Sequence, residues 1–390
     1  MAVRSGMKVM TVVVSIAVAL ILAEILVRTL TIYPNTLTSN RVPDENIGFR
    51  ASQKIPEVDA AGFRNPEGVP KEIVAIGDSQ TFGFNVRSAA SWPALLSGII
   101  GKPIYNFGSG GYGLLTYHGL LKLFLKPETR LAIVTLYPAN DFEEFYASDA
   151  DCLVLNNPSA FWKVERERLK LEWPAYPVGC LHNDDNSEAG FFGNLTRHIA
   201  MLAMARDALG LGSAGVGIPG GPEKGVVEIP DGLGTINISR TEMHERSTDP
   251  AVPEVAAMMK NLAIFFTDWK KMSENGVRIG IVVLPSRERV IHDYFERKGR
   301  LGELDPRLAN GMKKQIAMEQ FVRDSLEKSG LPFVFANEDL YRHLEFGLQK
   351  GIPLYPKADN GHPLELGYAA YASAARRLLI KMGLLTGAAN

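Results

Sequence analysis

Four short groups of residues have the types and spacing that acyl transfer requires. Gly77-Asp78-Ser79 stands where an apolar run ends. A serine at a strand-to-helix turn is exposed, and the helix N-terminus that follows favours negative charge beside it. Alone, the same group is equally ordinary turn and N-cap chemistry. Asn106-Phe107-Gly108-Ser109-Gly110-Gly111 follows the next apolar run. Glycines there let backbone N–H groups approach a ligand closely, as an oxyanion hole requires. Asn140, in Tyr137-Pro138-Ala139-Asn140-Asp141, offers a side-chain amide donor of the same kind, or a plain helix cap. Near the carboxyl end, Asp359 and His362 stand three residues apart. An aspartate so placed can orient an imidazole that takes a proton from a serine. Ser79 is a weak nucleophile without such a base.

Competing readings of these residues are poorer. Gly108, Gly110 and Gly113 fit G-x-G-x-x-G, but the ribose-binding acid of a dinucleotide site is missing at its expected distance, so a Rossmann-type oxidoreductase is the weakest option. His118, His182, His198, His244, His292 and His343 lack a comparable set of partners. Asp78, Asp141 and Asp149 show no metal-ligand spacing. Neither a metal nor a cofactor is expected.

The elements that must position these groups alternate regularly. Strands are predicted at 72–76, 103–107, 130–137, 277–284 and 331–336. Helices are predicted at 92–100, 114–125, 254–274, 309–328 and 366–383. Continuous apolar strands alternating with helices argue for an α/β fold with a parallel sheet covered on both faces. Ligands bind such sheets outside the carboxyl ends of the strands, where the first three groups fall. Residues 31–70, rich in Pro, Asn and Gly, read as an extended linker, and 71–390 as the catalytic domain. A long insertion at about 145–250 interrupts the rhythm. Its Phe161, Trp162, Trp173 and Tyr176 either stack on sugar rings or pack the insertion onto the core.

The chain has 390 residues, with Lys+Arg 42 against Asp+Glu 43. A net charge of −1 removes the electrostatic case for nucleic acid as a partner. The apolar residues are concentrated in one place: Val9 to Val27 contains a single ionisable residue, Glu24. As a helix this run spans about 28 Å, close to the hydrocarbon thickness of a bilayer. Arg4 and Lys8 ahead of it favour a cytoplasmic amino terminus. Residues 1–30 are therefore expected to be an uncleaved transmembrane helix, with the lipid bilayer as partner. The rival readings are a signal peptide cleaved after Ala17-Val18-Ala19 and a buried soluble helix. The two cysteines, Cys152 and Cys180, would then lie in an oxidising compartment, where they are expected to pair.

Taken together, the four groups resemble the SGNH (GDSL-type) hydrolase superfamily over roughly 70–145 and 254–384. The resemblance implies a three-layer flavodoxin-like sandwich with a mostly parallel sheet. It also implies Ser79 as nucleophile, Asp359 and His362 as acid-base pair, and an oxyanion hole of the Ser79 and Gly111 N–H groups with the Asn140 amide. Gly111 stands five residues after Asn106, as in that family. Pro138 is a departure, because the family usually has glycine there. The flanking AGFRNP and LPSRERV segments look most like membrane-anchored bacterial members associated with O-acetylation of exported polysaccharides. The resemblance thus implies a serine esterase or O-acyltransferase on the periplasmic side of a bacterial inner membrane. Its substrate would be an acyl ester or glycan, and a polytopic membrane acyltransferase its partner. Hydrolysis and transfer stay undecided. The alternative is a catalytically idle glycan-binding or assembly subunit of an envelope complex.

Overall fold

The amino-terminal part of the described chain enters through a hairpin, β1 (Arg41–Asp44) and β2 (Gly48–Ala51), paired antiparallel. This is a computed structural model that describes residues 14–16, 18–23, 41–53, 57–141, 149–173, 225–357 and 361–386. The chain divides into two units, 1–39 with 183–222, and 40–182 with 223–390. Of the first unit, residues 14–16 and 18–23 are described, and they are helical. The rest of the predicted span Val9–Val27 lies outside the described residues. Among the described residues no helix is long and apolar enough to cross a membrane.

The second unit carries the sheet. Strand β3 (Ile73–Ile76) is buried along its whole length and leads directly into the one-turn helix α1 (Ser79–Phe82). Helix α2 (Trp92–Ile100) returns the chain to a short β4 (Tyr105–Asn106). Helix α3 (Leu114–Leu123) then precedes β5 (Leu131–Leu136). The insertion follows, with α4 (Asp149–Asn156), α5 (Ala160–Leu169), a hairpin of β6 (Val226–Ile229) and β7 (Gly234–Asn237), and α6 (Ile238–Ser247). The alternation resumes with α7 (Pro253–Glu274), β8 (Arg278–Val283), α8 (Arg287–Arg297), α9 (Pro306–Ser329) and β9 (Phe333–Phe335). Helices α10 (Asn337–Lys350) and α11 (Glu365–Lys381) complete it.

The sheet order is β4-β3-β5-β8-β9, and every pairing in it is parallel. This is the doubly wound order in which the second strand lies outside the first and the third lies on its other side. Side chains alternate between the two faces as the pleat demands. Val74, Ile76, Val134, Leu136, Ile279 and Ile281 bury one face against α3, α7 and the carboxyl half of α9. Ile73, Ala75, Ile133 and Val282 bury the other against α2, α8, α10 and α11. The chain leaves β3 in opposite directions to reach β4 and β5, so a crevice opens at the carboxyl ends of these strands.

The stretch expected to be an extended linker supplies, from residue 41 onward, the β1–β2 hairpin and the buried side chains of Phe63, Arg64 and Asn65. The insertion is also tied to the sheet where it begins. Gly113 has no side chain with which to cap α3, and Asp151 of α4 does so instead, accepting from the N–H groups of Leu115 at 2.9 Å and Thr116 at 2.8 Å. Trp162 of α5 is fully buried and donates to the Asn46 carbonyl at 2.7 Å. Phe161 and Trp173 pack against the same core. These three aromatics therefore hold the insertion in place, and Tyr176 lies outside the described residues. The Cys152 side chain and all of Cys180 lie outside them too.

Beside Trp162 a buried polar cluster completes the contact. His118 accepts from Trp269 Nε1 at Nδ1, 3.1 Å away, and faces Glu165 with Nε2 at 2.9 Å. Accepting at one nitrogen and donating at the other is the pattern of a neutral imidazole. Burial agrees, pushing its pKa down. Burial pushes the Glu165 carboxyl up, but His118 and Arg168 together hold it at about 2.

Candidate active site

The turn from β3 into α1 is tight because Gly77 has no side chain. A Cβ there would overlap the hydroxyls of Thr81 and Thr135, which hydrogen-bond to each other beneath it. Asp78 caps the helix, its Oδ1 accepting from the Gln80 N–H at 2.9 Å. Ser79 follows as the first helical residue, with 8% of its surface exposed. Its Oγ lies 2.7 Å from His362 Nε2 and 3.3 Å from Asp78 Oδ2. The hydroxyl has one proton to give, and the shorter distance favours the imidazole.

The glycine loop after β4 lies against this helix. Beyond β4, the Phe107 N–H donates to Ala75 and the Ser109 N–H to Gly77, at 2.7 and 3.3 Å. Asn106 turns its side chain back, donating to the Thr81 carbonyl at 2.9 Å and accepting from the Gly108 N–H at 2.8 Å. A Cβ on Gly108 would come within 2.5 Å of the Phe82 nitrogen, so only glycine allows this approach. A Cβ on Gly110 would stand 3.8 Å from Ser79 Cβ, which puts the loop backbone beside Ser79. Gly111 has φ +89°, the left-handed region that favours glycine, and its carbonyl accepts from the Ala150 N–H of α4 at 3.3 Å.

Asn140 arrives from the third strand end. Its Nδ2 donates to Asp78 Oδ2 at 3.4 Å, so the amide and the Ser79 hydroxyl reach the same carboxylate oxygen. Pro138, the departure noted in the sequence, does not prevent this. The turn is held by Asp141, which accepts from the Tyr137 N–H at 2.7 Å and the Tyr117 hydroxyl at 2.8 Å, and neither bond needs an N–H at residue 138. Ser79, Asn140, His362 and the Gly108–Gly111 loop are thus brought together. Asp359 lies outside the described residues.

Two residues of the AGFRNP segment, Arg64 and Asn65, hold this arrangement. The Arg64 guanidinium is buried and donates to the carbonyls of Phe82 at 3.2 Å, Gly83 at 2.7 Å and Val86 at 2.8 Å. It thereby satisfies carbonyls that a one-turn helix leaves without partners. Glu57 balances its charge at 2.7 Å. Asn65 pairs with the backbone of Asn106 in both directions, at 2.7 and 3.0 Å. Their only sequence signal was a pair of polar residues between turn formers.

Among the described residues, two groups bring histidine and carboxylate atoms within 4.8 Å of one another: His118, Glu165 and Asp268, and His292, Asp293 and Glu296. In the first, Arg168 and Lys122 engage the carboxylates and Trp269 engages His118. In the second, Arg289 engages Asp293. Neither has the character of a metal centre.

No family model matches the chain, and no curated protein matches it. A solved structure described as the crystal structure of LAE5, an alpha/beta hydrolase enzyme from the metagenome of Lake Arreo, Spain, superposes with a TM-score of 0.34 and 14% identity. That superposition covers 82% of this chain and 98% of the other. It is too loose to carry an argument about chemistry, and the site rests on its own geometry.

Burial pushes the Asp78 carboxyl up to about 6, against the hydrogen bonds from Gln80 and Asn140 and the nearby Ser79 hydroxyl. Burial, and then the charge of Asp78, pushes Asp141 up as well. A carboxyl raised in the folded state favours folding below its unfolded pKa, near 4, and that contribution is lost as pH rises through about 6. Two pKa units correspond to about 3 kcal/mol. Asp78→Asn keeps an N-cap acceptor and removes the titration. Urea unfolding at pH 4 and pH 7 should therefore show a loss of stability that is smaller in the variant by about that amount. An unchanged pH slope would contradict the assignment.

Proposed function

We propose that this chain is a serine-dependent acyl-ester hydrolase or O-acyltransferase of the SGNH type. The observation that carries the reading is the 2.7 Å contact between Ser79 Oγ and His362 Nε2 at the carboxyl end of a parallel sheet. His362 takes the Ser79 proton as the oxygen attacks an ester carbonyl, and a tetrahedral oxyanion forms. The Ser79 and Gly111 N–H groups and the Asn140 amide receive that charge. His362 then gives the proton to the departing alcohol, leaving acyl-Ser79. Water or a second hydroxyl, deprotonated by the same imidazole, releases the acyl group and restores the serine. Asp359 takes the orienting role that the resemblance gives it. Hydrolysis and transfer differ only in which acceptor reaches acyl-Ser79, so the transferase must exclude water from it.

The setting belongs to the same proposal: an amino-terminal anchor with the catalytic unit outside the cytoplasm, acting on an envelope or exported glycan beside a polytopic acyltransferase. In support of the anchor, Val14, Ile16, Val18, Leu20, Ile21 and Leu22 are all exposed along the described helical stretch. Such a row of apolar side chains favours lipid over water. The glycan rests on the resemblance, since Phe161, Trp162 and Trp173 are occupied in packing.

The purified full-length chain should label with a fluorophosphonate and turn over p-nitrophenyl acetate, and Ser79→Ala should abolish both. Persistent labelling of that variant would make the nucleophile wrong. Asn140→Ala should lower kcat by about 10²–10³ with labelling retained, the usual loss for one oxyanion donor; an unchanged kcat removes Asn140 from the hole. Alkaline carbonate should leave the full chain in the membrane pellet and extract a chain lacking residues 1–30. Extraction of both would refute the anchor.

A further inference from the structure

The imidazole is seated by the turn that carries the nucleophile. Phe84 lies face to face with the His362 ring, centroids 4.7 Å apart and planes 23° apart. Asn85 donates its Nδ2 to the His362 carbonyl at 3.0 Å. Gln80, buried directly after Ser79, donates to the Gly361 carbonyl at 3.3 Å and accepts from the Tyr371 hydroxyl of α11 at 3.2 Å. Within six residues of Ser79, three side chains thus hold the histidine's ring, the peptide before it and the peptide after it.

The backbone makes this reach possible. Helix α1 closes at Gly83, φ +88°, which turns the chain sharply so that Phe84 comes back over the site. Asn85 also has positive φ, +66°, a conformation that asparagine tolerates better than most residues. Its side chain is then free of helix geometry and reaches the loop from 361 onward.

Resting on the reading of Ser79 and His362 as nucleophile and base, we propose that Phe84 is a positioning residue: its ring sets the plane of the imidazole and steadies the cation formed when Ser79 gives up its proton, while Gln80 and Asn85 fix the backbone on either side. An aromatic face at this distance attracts a cation through its quadrupole. A base must also be held within about 0.5 Å of the productive geometry, and the contacts from Phe84, Gln80 and Asn85 contribute to that. Of the titratable groups around the ring, Asp78 faces it through the Ser79 hydroxyl, and Asp359 stands three residues before it in sequence. A substitution at Phe84 leaves both unchanged, so their titrations cancel when variant and parent are compared.

Phe84→Leu keeps apolar bulk and removes the aromatic face. In the full-length chain it should lower kcat for p-nitrophenyl acetate about three- to tenfold, the worth of one cation–π contact, with little change in KM. The acid limb of its pH–kcat/KM profile should move to lower pH. Phe84→Tyr, which keeps the face, should retain both properties. The His362 ring protons, identified by their loss in His362→Asn, should titrate at lower pH in Phe84→Leu than in the parent. This NMR measurement needs no turnover: an inactive parent would sink the functional reading while the shift still decides this one. A folded Phe84→Leu with unchanged kcat and unchanged His362 titration overturns the proposal. If Phe84→Leu does not fold, Asn85→Gly keeps the left-handed backbone and loses only the amide. It should lower kcat with KM preserved, and parental kcat in that variant likewise overturns the proposal.

Discussion

Two missing side chains allow the candidate site to exist. Gly77 ends β3 against the hydroxyls of Thr81 and Thr135, and Gly108 lets the loop after β4 touch the backbone of α1. With a methyl group at either place, the one-turn helix would be pushed away from the strand ends. The close approach puts Ser79 at the surface of a sheet that is otherwise deeply buried, with donors from two neighbouring strand ends around it. The sheet order supplies the crevice, and these two contacts decide what stands in it.

Close packing of polar backbone carries an obligation to satisfy it. Burying a polar group without a partner costs more than a hydrogen bond normally gains, so the polar side chains around α1 have the partners described for them. Arg64 takes the carbonyls at the end of α1, Asp78 the N–H at its start, Asn106 the link from α1 to the glycine loop, and Asp141 the turn before Asn140. Asp78 is the compromise among them. The Gln80 N–H and the Asn140 amide donate to it, and burial still raises it to about 6.

The sequence shows some of this and hides the rest, for physical reasons. Strands β3, β5 and β8 are legible because a parallel strand buried on both faces is a continuous apolar run. Ser79 and Asn140 are legible because they follow such runs, and His362 because an aspartate stands three residues before it. Strand β4 is only two residues long in a longer apolar stretch, pairing Tyr105 and Asn106 with Val74 and Ala75 before the glycine loop begins. Helix α8 is obscured by its charges, although Val290, Ile291, Tyr294 and Phe295 bury one side of it. Arg64 and Asn65 are illegible because a buried polar residue and a solvated loop residue look alike until their partners, 18 and 41 positions away, are placed.

Ser79 and His362 are 283 positions apart, and Gln80 and Gly361 are 281 apart. Arg64, by contrast, meets its carbonyls 18 to 22 positions on. A chain made from its amino end therefore completes the Arg64 clamp on α1 early and the seat of the imidazole late. Closing so long a loop brings its entropic cost before any reward, so the contact waits for the sheet to fold. Until residue 362 has been made, Ser79 stands in its turn without its imidazole partner. The imidazole reaches it only after all five strands of the intervening sheet have been made.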